Sequence, residues 1–231
     1  LIFTFYKDYL KSETSQIIKA NILSRIFYSW MTFYIYLGFK RYLVQGDLWK
    51  PSKSQQLPYL REKFEKSCKK YKRQTDISFF TLFMLNNKAQ FLSAFFYKFI
   101  QDIIKFLTPF LLNKFILYSN DSNNPFWLGI VFSISIFIVN VLNSLFLNKY
   151  YDIVTSLGSD FRYILSSSIY QKMFKINSDH FRDSPVSFQT NLISIDSYKI
   201  QEAIVLMNMI WSTPFQIILC LGYLWYIIGL S

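Results

Sequence analysis

Residues 122–148 read SNNPFWLGIVFSISIFIVNVLNSLFLN, 27 residues without a charge. A helix rises 1.5 Å per residue and bilayer hydrocarbon is about 30 Å thick, so roughly 20 mostly apolar residues suffice to cross it. A second run, residues 203–231 (AIVLMNMIWSTPFQIILCLGYLWYIIGLS), is uncharged for 29 residues. A soluble core could supply one such run. Two of full length, with Trp127, Trp211 and Trp225 in or near them, predict membrane helices. A third stretch, residues 91–118, is rich in Phe, Leu and Ile but carries Lys98, Asp102, Lys105 and Lys114; it is read as a further span. Residues 26–39 are uncharged over only 14 positions, which suits a buried or interfacial helix.

The composition around these runs narrows the classes. The 231 residues are 52% hydrophobic, 20% aromatic and only 17% charged, yet the net charge is +11. Such hydrophobicity excludes a disordered chain. Two distant cysteines, Cys68 and Cys220, exclude a disulfide scaffold, and a single His180 without any CxxC excludes the usual zinc sites. The basic balance is local: residues 1–90 hold 16 Lys+Arg against 6 Asp+Glu, residues 91–231 hold 9 against 8. No nucleic-acid-binding module is visible in the basic part, so nucleic acid is not expected as a partner. Cytoplasmic flanks of spanning helices carry excess Lys/Arg. Residues 115–148 contain none and residues 149–202 contain six. The link Ser119–Phe126 is therefore expected outside, and residues 1–90 and 149–202 inside. Asn120-Asp121-Ser122 forms a glycosylation sequon there, read as a polar turn too close to the membrane for use.

Beyond Asn148 the helical spacing continues through Tyr150, Ile153, Val154, Leu157, Phe161, Ile164, Leu165, Ile169 and Met173, with no proline before Pro185. A helix from Trp127 to about Asn177 would be roughly 75 Å long and would reach well into the cytoplasm. A short polar segment follows, and Ser184-Pro185 offers a cap and a first-turn proline for a third helix running back to the membrane.

Each span carries a polar stripe. Lys98, Gln101, Asp102, Lys105 and Thr108 share one helix face; so do Ser133, Asn140, Asn143, Ser144 and Asn148, and likewise Asn208, Ser212, Tyr223 and Tyr226. Charges at membrane depth usually face a bundle interior or a watery cavity. One reading is a polar-lined central pathway. The other is that the charges pair along their helix and the Ser/Asn residues join neighbouring helices. A kink is expected at Pro214, with Trp211 beside it.

Five segments carry a family resemblance. They are ILSRIFYSWMTFYIYLGFKRYLVQGDLW (22–49), KFIQDIIKFLTPFLL (98–112), NLISIDSYK (191–199) and NMIWSTP (208–214), followed by Gln216 and Leu224-Trp225. In this order they resemble the C subfamily of ABC transporters, the multidrug-resistance-associated group, from about Ala20 to the end. The resemblance implies an all-α, multi-pass membrane fold, a type I ABC exporter transmembrane-domain fragment with long helices extending into the cytoplasm. Residues 1–75 would be a cytoplasmic lasso and linker, 76–90 an interfacial elbow helix, and 91–231 the first half of the transmembrane domain. Its spans would be about 91–118, 127–148 continuing to 177, and 186–231 with a membrane part of about 203–231. Ser178, Asp179, His180, Phe181, Arg182 and Asp183 would form the loop coupling to a nucleotide-binding domain. Lys98, where related exporters contact anionic conjugates, would bind substrate with Gln101, Lys105, Asn208 and Trp211. Many members have His at the position of Gln101, a polar residue at that of Leu206, and Gly-Glu where this chain has Ser187-Phe188.

No GxxxxGK[ST] loop and no signature motif occurs, so this chain is not expected to bind or hydrolyse ATP itself. ATP and magnesium are implied only for the parent protein, of which the chain is expected to be a piece. The partners implied are the lipid bilayer, the nucleotide-binding domains and second transmembrane domain of that parent, and an anionic small molecule. The expected function is a share in ATP-driven export of organic anions or conjugates. A channel or channel regulator of the same architecture, or a non-functional truncated membrane fragment, stays open. The N-terminal region is expected in the cytoplasm, and the membrane is left open between plasma and vacuole-type. Leu1–Gln16 carries no legible motif.

Overall fold

A computed structural model describes residues 21, 24–25, 27–44, 47, 56–71, 78–120, 125–175 and 190–229. Among the described residues the regular structure is helical and no strand occurs. The chain divides into two units, Leu1–Lys66 and Ser67–Ser231.

In the first unit, a single 3-10 turn, Ser29–Met31, leads into α1, Thr32–Lys40. Of the run 26–39, expected as a buried or interfacial helix, α1 takes in only residues from Thr32 on, and Tyr34 is its buried residue. Asp47 closes the turn after α1. Its carboxylate accepts from Arg41 Nη2 at 2.7 Å and from the Val44 N–H at 2.9 Å, while its carbonyl accepts from the Tyr34 hydroxyl at 2.6 Å. The Arg41 hydrogen bond, then that of Val44, holds the Asp47 carboxyl below the usual carboxylate range. Helix α2, Leu57–Tyr71, carries exposed pairs one turn apart, Arg61–Glu65 and Glu62–Lys66, both at 2.7 Å.

The second unit contains α3 (Phe79–Asn86), α4 (Lys88–Ser119), α5 (Phe126–Lys175), a wide π turn (Leu192–Asp196), α6 (Ser197–Leu206) and α7 (Met209–Ile228). Asn87 separates α3 from α4: its N–H reaches the carbonyls of Phe83 and Met84, and its side-chain amide also donates to Phe83 O at 3.3 Å. An Asn side chain that competes for backbone carbonyls ends a helix in this way. Of the segment expected as an elbow, 76–90, residues 79–86 form α3 and 88–90 open α4, and residues 76 and 77 lie outside the described residues.

Helix α5 runs for 50 residues, about 75 Å, uninterrupted by proline and with Lys172 and Lys175 in its last turn, where cations favour the helix dipole. It is the spine of the unit, with α4 packed on it at one level and α6 at another. Tyr150, Val154 and Ala94 form a buried cluster lined by Tyr97, Leu147, Ile153 and Val205. Further along α5, Phe161 meets the edges of Phe83, Phe79 and Phe80 at centroid distances of 5.0, 5.6 and 5.9 Å. Gly158 lets α6 approach: a Cβ there would sit 3.0 Å from the Gln201 carbonyl oxygen and 3.1 Å from Gln201 Cγ. Gly158→Leu is therefore expected to cost about 1–3 kcal/mol by overpacking. Thermal unfolding in detergent checks this, and an unchanged midpoint would contradict so close an approach.

The proline at which a kink is expected does not interrupt the helix. Helix α7 continues through Pro214, while the α6–α7 junction loosens at Met207–Asn208, with bonds of 3.4 Å from Met207 N to Ile204 O and from Ile210 N to Met207 O. Gly229, at φ 74°, accepts the left-handed backbone that ends α7.

Among the described residues two helices are long and apolar enough to cross a membrane, Phe126–Lys175 and Leu192–Trp225. Ile130, Phe137, Ile210, Ile218 and Trp225 lie exposed on them. The third expected span, α4, is long enough at 32 residues but is less apolar than these two, since it carries Lys98, Asp102, Lys105 and Lys114. The start of the third helix at Ser184-Pro185, Asp121 and Ser122 of the sequon, and Leu1–Gln16 lie outside the described residues.

Candidate functional site

The polar side chains of α4 converge on α7. Lys98, Gln101 and Asp102 are all buried, and Asp102 is fully so. Lys98 Nζ donates to Asp102 Oδ1 and to Gln101 Oε1, each at 2.8 Å, and lies 5.9 Å from the centre of the Tyr150 ring. Opposite charges four residues apart on one helix meet in this way. The Asp102 carboxylate takes two further donors from α7, Ser212 Oγ on Oδ2 at 2.5 Å and Gln216 Nε2 on Oδ1 at 2.8 Å. Ser212 and Gln216 sit four residues apart, so both face α4, and Gln216 Nε2 also reaches Ser212 Oγ at 3.0 Å. The other end of that amide, Oε1, accepts from Lys105 Nζ at 3.2 Å. Lys105 is exposed, and among the described residues no carboxylate pairs with it.

The network also bonds to α5, where Gln101 Nε2 donates to Asn143 Oδ1 at 2.9 Å. Ser133 and Asn140 of the α5 stripe bond the carbonyls of Gly129 and Ile136 on their own helix. Uncharged side chains can satisfy themselves one turn back, so a stripe of them does not by itself bring helices together. Nearer the start of α7, Trp211 Nε1 donates to buried Asn208 Oδ1 at 3.2 Å, and the Tyr150 hydroxyl donates to Val205 O at 3.1 Å. The Trp211 ring lies 4.5 Å from that of Phe95 and 6.4 Å from those of Phe99 and Phe215. An aromatic row and a polar row thus run side by side between α4 and α7. Tyr223 adds a weak contact, its hydroxyl 3.4 Å from Pro109 O.

Of the residues expected to bind substrate, Lys98, Gln101 and Lys105 belong to one network through Asp102 and Gln216, while Asn208 and Trp211 bond each other beside it. Ser178, Asp179, His180, Phe181, Arg182 and Asp183 lie outside the described residues. Sequence reasoning left Asp102, Ser212 and Gln216 out of the candidate set. The signal available was spacing: Lys98/Asp102 and Ser212/Gln216 are both four apart on facing helices.

Three relatives share this chain's sequence over most of its length. Metal resistance protein YCF1 of Saccharomyces cerevisiae is 30% identical over 92% of the chain. The vacuolar heme ABC transmembrane exporter abc3 of Schizosaccharomyces pombe is 30% identical over 94%, and ATP-binding cassette sub-family C member 3 of Homo sapiens is 28% identical over 92%. The chain spans only 15–16% of the length of these curated relatives. The model of the ABC transporter transmembrane region matches residues 91–231, the stretch that holds α4 to α7 and the polar network between them. Long, outwardly apolar helices around a buried polar seam, with this match and these relatives, show that the chain belongs to the ABC transporter transmembrane family, in its C subfamily.

Proposed function

We propose that this chain forms the opening half of the first transmembrane domain of an ATP-driven exporter of organic anions or conjugates. The observation that carries the reading is the pair of cations, Lys98 and Lys105, on one face of α4 at the seam with α7, beside the aromatic row of Phe95, Phe99, Trp211 and Phe215. Lys105 offers an ammonium that no carboxylate pairs with among the described residues, and Lys98 offers one shared with Asp102. An anion with an apolar body fits such a surface: the cation attracts its charge, and the rings bury its hydrocarbon. Gln101, Asn208 and Trp211 would orient it by hydrogen bonding and packing. Two relatives bear names consistent with transport, an exporter of heme and a metal resistance protein.

In this reading residues 1–90 and the 149–202 region face the cytoplasm, as their Lys/Arg content favours. Helix α4 crosses the membrane with Lys98 and Asp102 turned inward to one another. Residues 178–183 contact a nucleotide-binding domain of the complete transporter. ATP and magnesium would bind there, because no residue run in this chain fits a phosphate-binding loop. The long cytoplasmic stretch of α5 and the π turn before α6 would carry the movement of that domain to the spans.

ATP-dependent uptake into membrane vesicles tests the reading, with dinitrophenyl-glutathione as anionic probe and a neutral acetoxymethyl ester as control. In the complete transporter Lys98→Ala is expected to lower kcat/KM for the anion about tenfold or more and to leave the neutral probe within twofold, the size of one lost charge-assisted contact. Equal loss for both probes would overturn the substrate assignment. Passive ion conduction by the complete protein, read by single-channel recording, would overturn the exporter reading in favour of a channel.

A further inference from the structure

We propose that Ser212 and Gln216 are positioning residues that set how strongly Lys98 can hold an anionic substrate, by sharing the charge of Asp102. This inference rests on the reading of Lys98 as the anion contact and extends it to α7. Lys98 has two rivals for its ammonium, the resident Asp102 carboxylate and an incoming anion. Asp102 is fully buried and cannot turn to water for relief, so its affinity for Lys98 depends on the other donors it receives. Ser212 Oγ takes one oxygen at 2.5 Å and Gln216 Nε2 shares the other at 2.8 Å. Ser212 is itself buried, so water cannot replace its hydroxyl. The Gln216 amide is held in one orientation, because its oxygen faces Lys105 and its nitrogen faces Asp102 and Ser212. With both donors in place, Asp102 is partly satisfied from α7, and Lys98 can exchange it for a substrate carboxylate. Without them, Lys98 is the carboxylate's main partner, and the substrate must compete against a tighter pair. The same bonds cross from α4 to α7, so the anion affinity of the seam depends on the two helices staying in register.

Vesicle uptake by the complete transporter, with the same two probes and with protein amount normalised by immunoblot, tests this. Ser212→Ala and Gln216→Leu are each expected to raise KM for dinitrophenyl-glutathione three- to tenfold, with kcat and the neutral probe unchanged. Ser212→Thr, which keeps the hydroxyl, is expected to restore the wild-type KM. In a Lys98→Ala background, Ser212→Ala should have no further effect, since no ammonium remains to compete for; this non-additivity is the signature of two residues acting through one group. A Ser212→Ala effect that persists in that background, or falls equally on both probes, overturns the inference while leaving a selective Lys98→Ala result standing. Lys98→Ala without selectivity removes the anion-site reading, and the inference with it. If Ser212→Ala fails to insert, Gln216→Leu supplies the same readings. If both fail while Ser212→Thr inserts, the donors serve folding alone and the inference is overturned.

Discussion

Asp102→Leu should destabilise the second unit by about 3–5 kcal/mol, the usual consequence of removing one partner of a buried ion pair. Lys98 would keep its position on α4 with Gln101 as its remaining close acceptor, an ammonium in a nearly dry site. Ser212 and Gln216 would lose the acceptor that ties α7 to α4. Detergent-driven unfolding of the complete protein, followed by circular dichroism, measures the loss; a change below about 1 kcal/mol would mean that water reaches the pair. The compensating variant sharpens the test. Lys98→Met combined with Asp102→Leu should recover most of the stability, because well-packed apolar residues replace a buried pair at little cost. Ser212 can then fall back on the carbonyl of Asn208 one turn earlier, to which its own N–H already bonds. A double variant as unstable as Asp102→Leu would place the loss in the α7 bonds rather than in the stranded ammonium.

The second large effect concerns the far part of α5. Phe161→Ala is expected to cost about 3–5 kcal/mol, the range for deleting a buried aromatic side chain. Phe161 is 3% exposed, and three rings of α3 meet it edge to face. Such pairs add about 0.5–1.5 kcal/mol each beyond burial. Because α3 is only eight residues long, it cannot hold its helix without packing partners. Hydrogen exchange should show α3 losing protection while α4 keeps most of its own. Phe161→Leu should recover more than half of the loss. Unchanged exchange in α3 would show that something other than Phe161 anchors it.

Much of the helical plan was legible because length and polarity are one-dimensional properties. The uncharged runs and the unbroken spacing after Asn148 predict a helix from Trp127 to about Asn177, and α5 spans Phe126–Lys175. The site was legible in part. Helical spacing placed Lys98, Gln101 and Asp102 on one face, and all three are buried together. The same spacing placed Lys105 with them, yet Lys105 is exposed and bonds to Gln216 rather than to Asp102. In the α5 stripe, equally regular in sequence, Asn143 bonds across to α4 while Ser133 and Asn140 bond back to their own helix.

What the sequence by itself determined is which segments are helices, how long they run, and which residues share a face, since these follow from the rise and the period of the helix alone. Only the tertiary structure decided which face meets which neighbour. Whether Lys98 stands as a free cation or as the partner of Asp102, and whether Asp102 is tied to α7, depends on the rotation and axial register of α7 against α4. Those are set by side-chain packing between helices distant in sequence: Gln216 lies 114 residues from Asp102, and no local periodicity reaches that far.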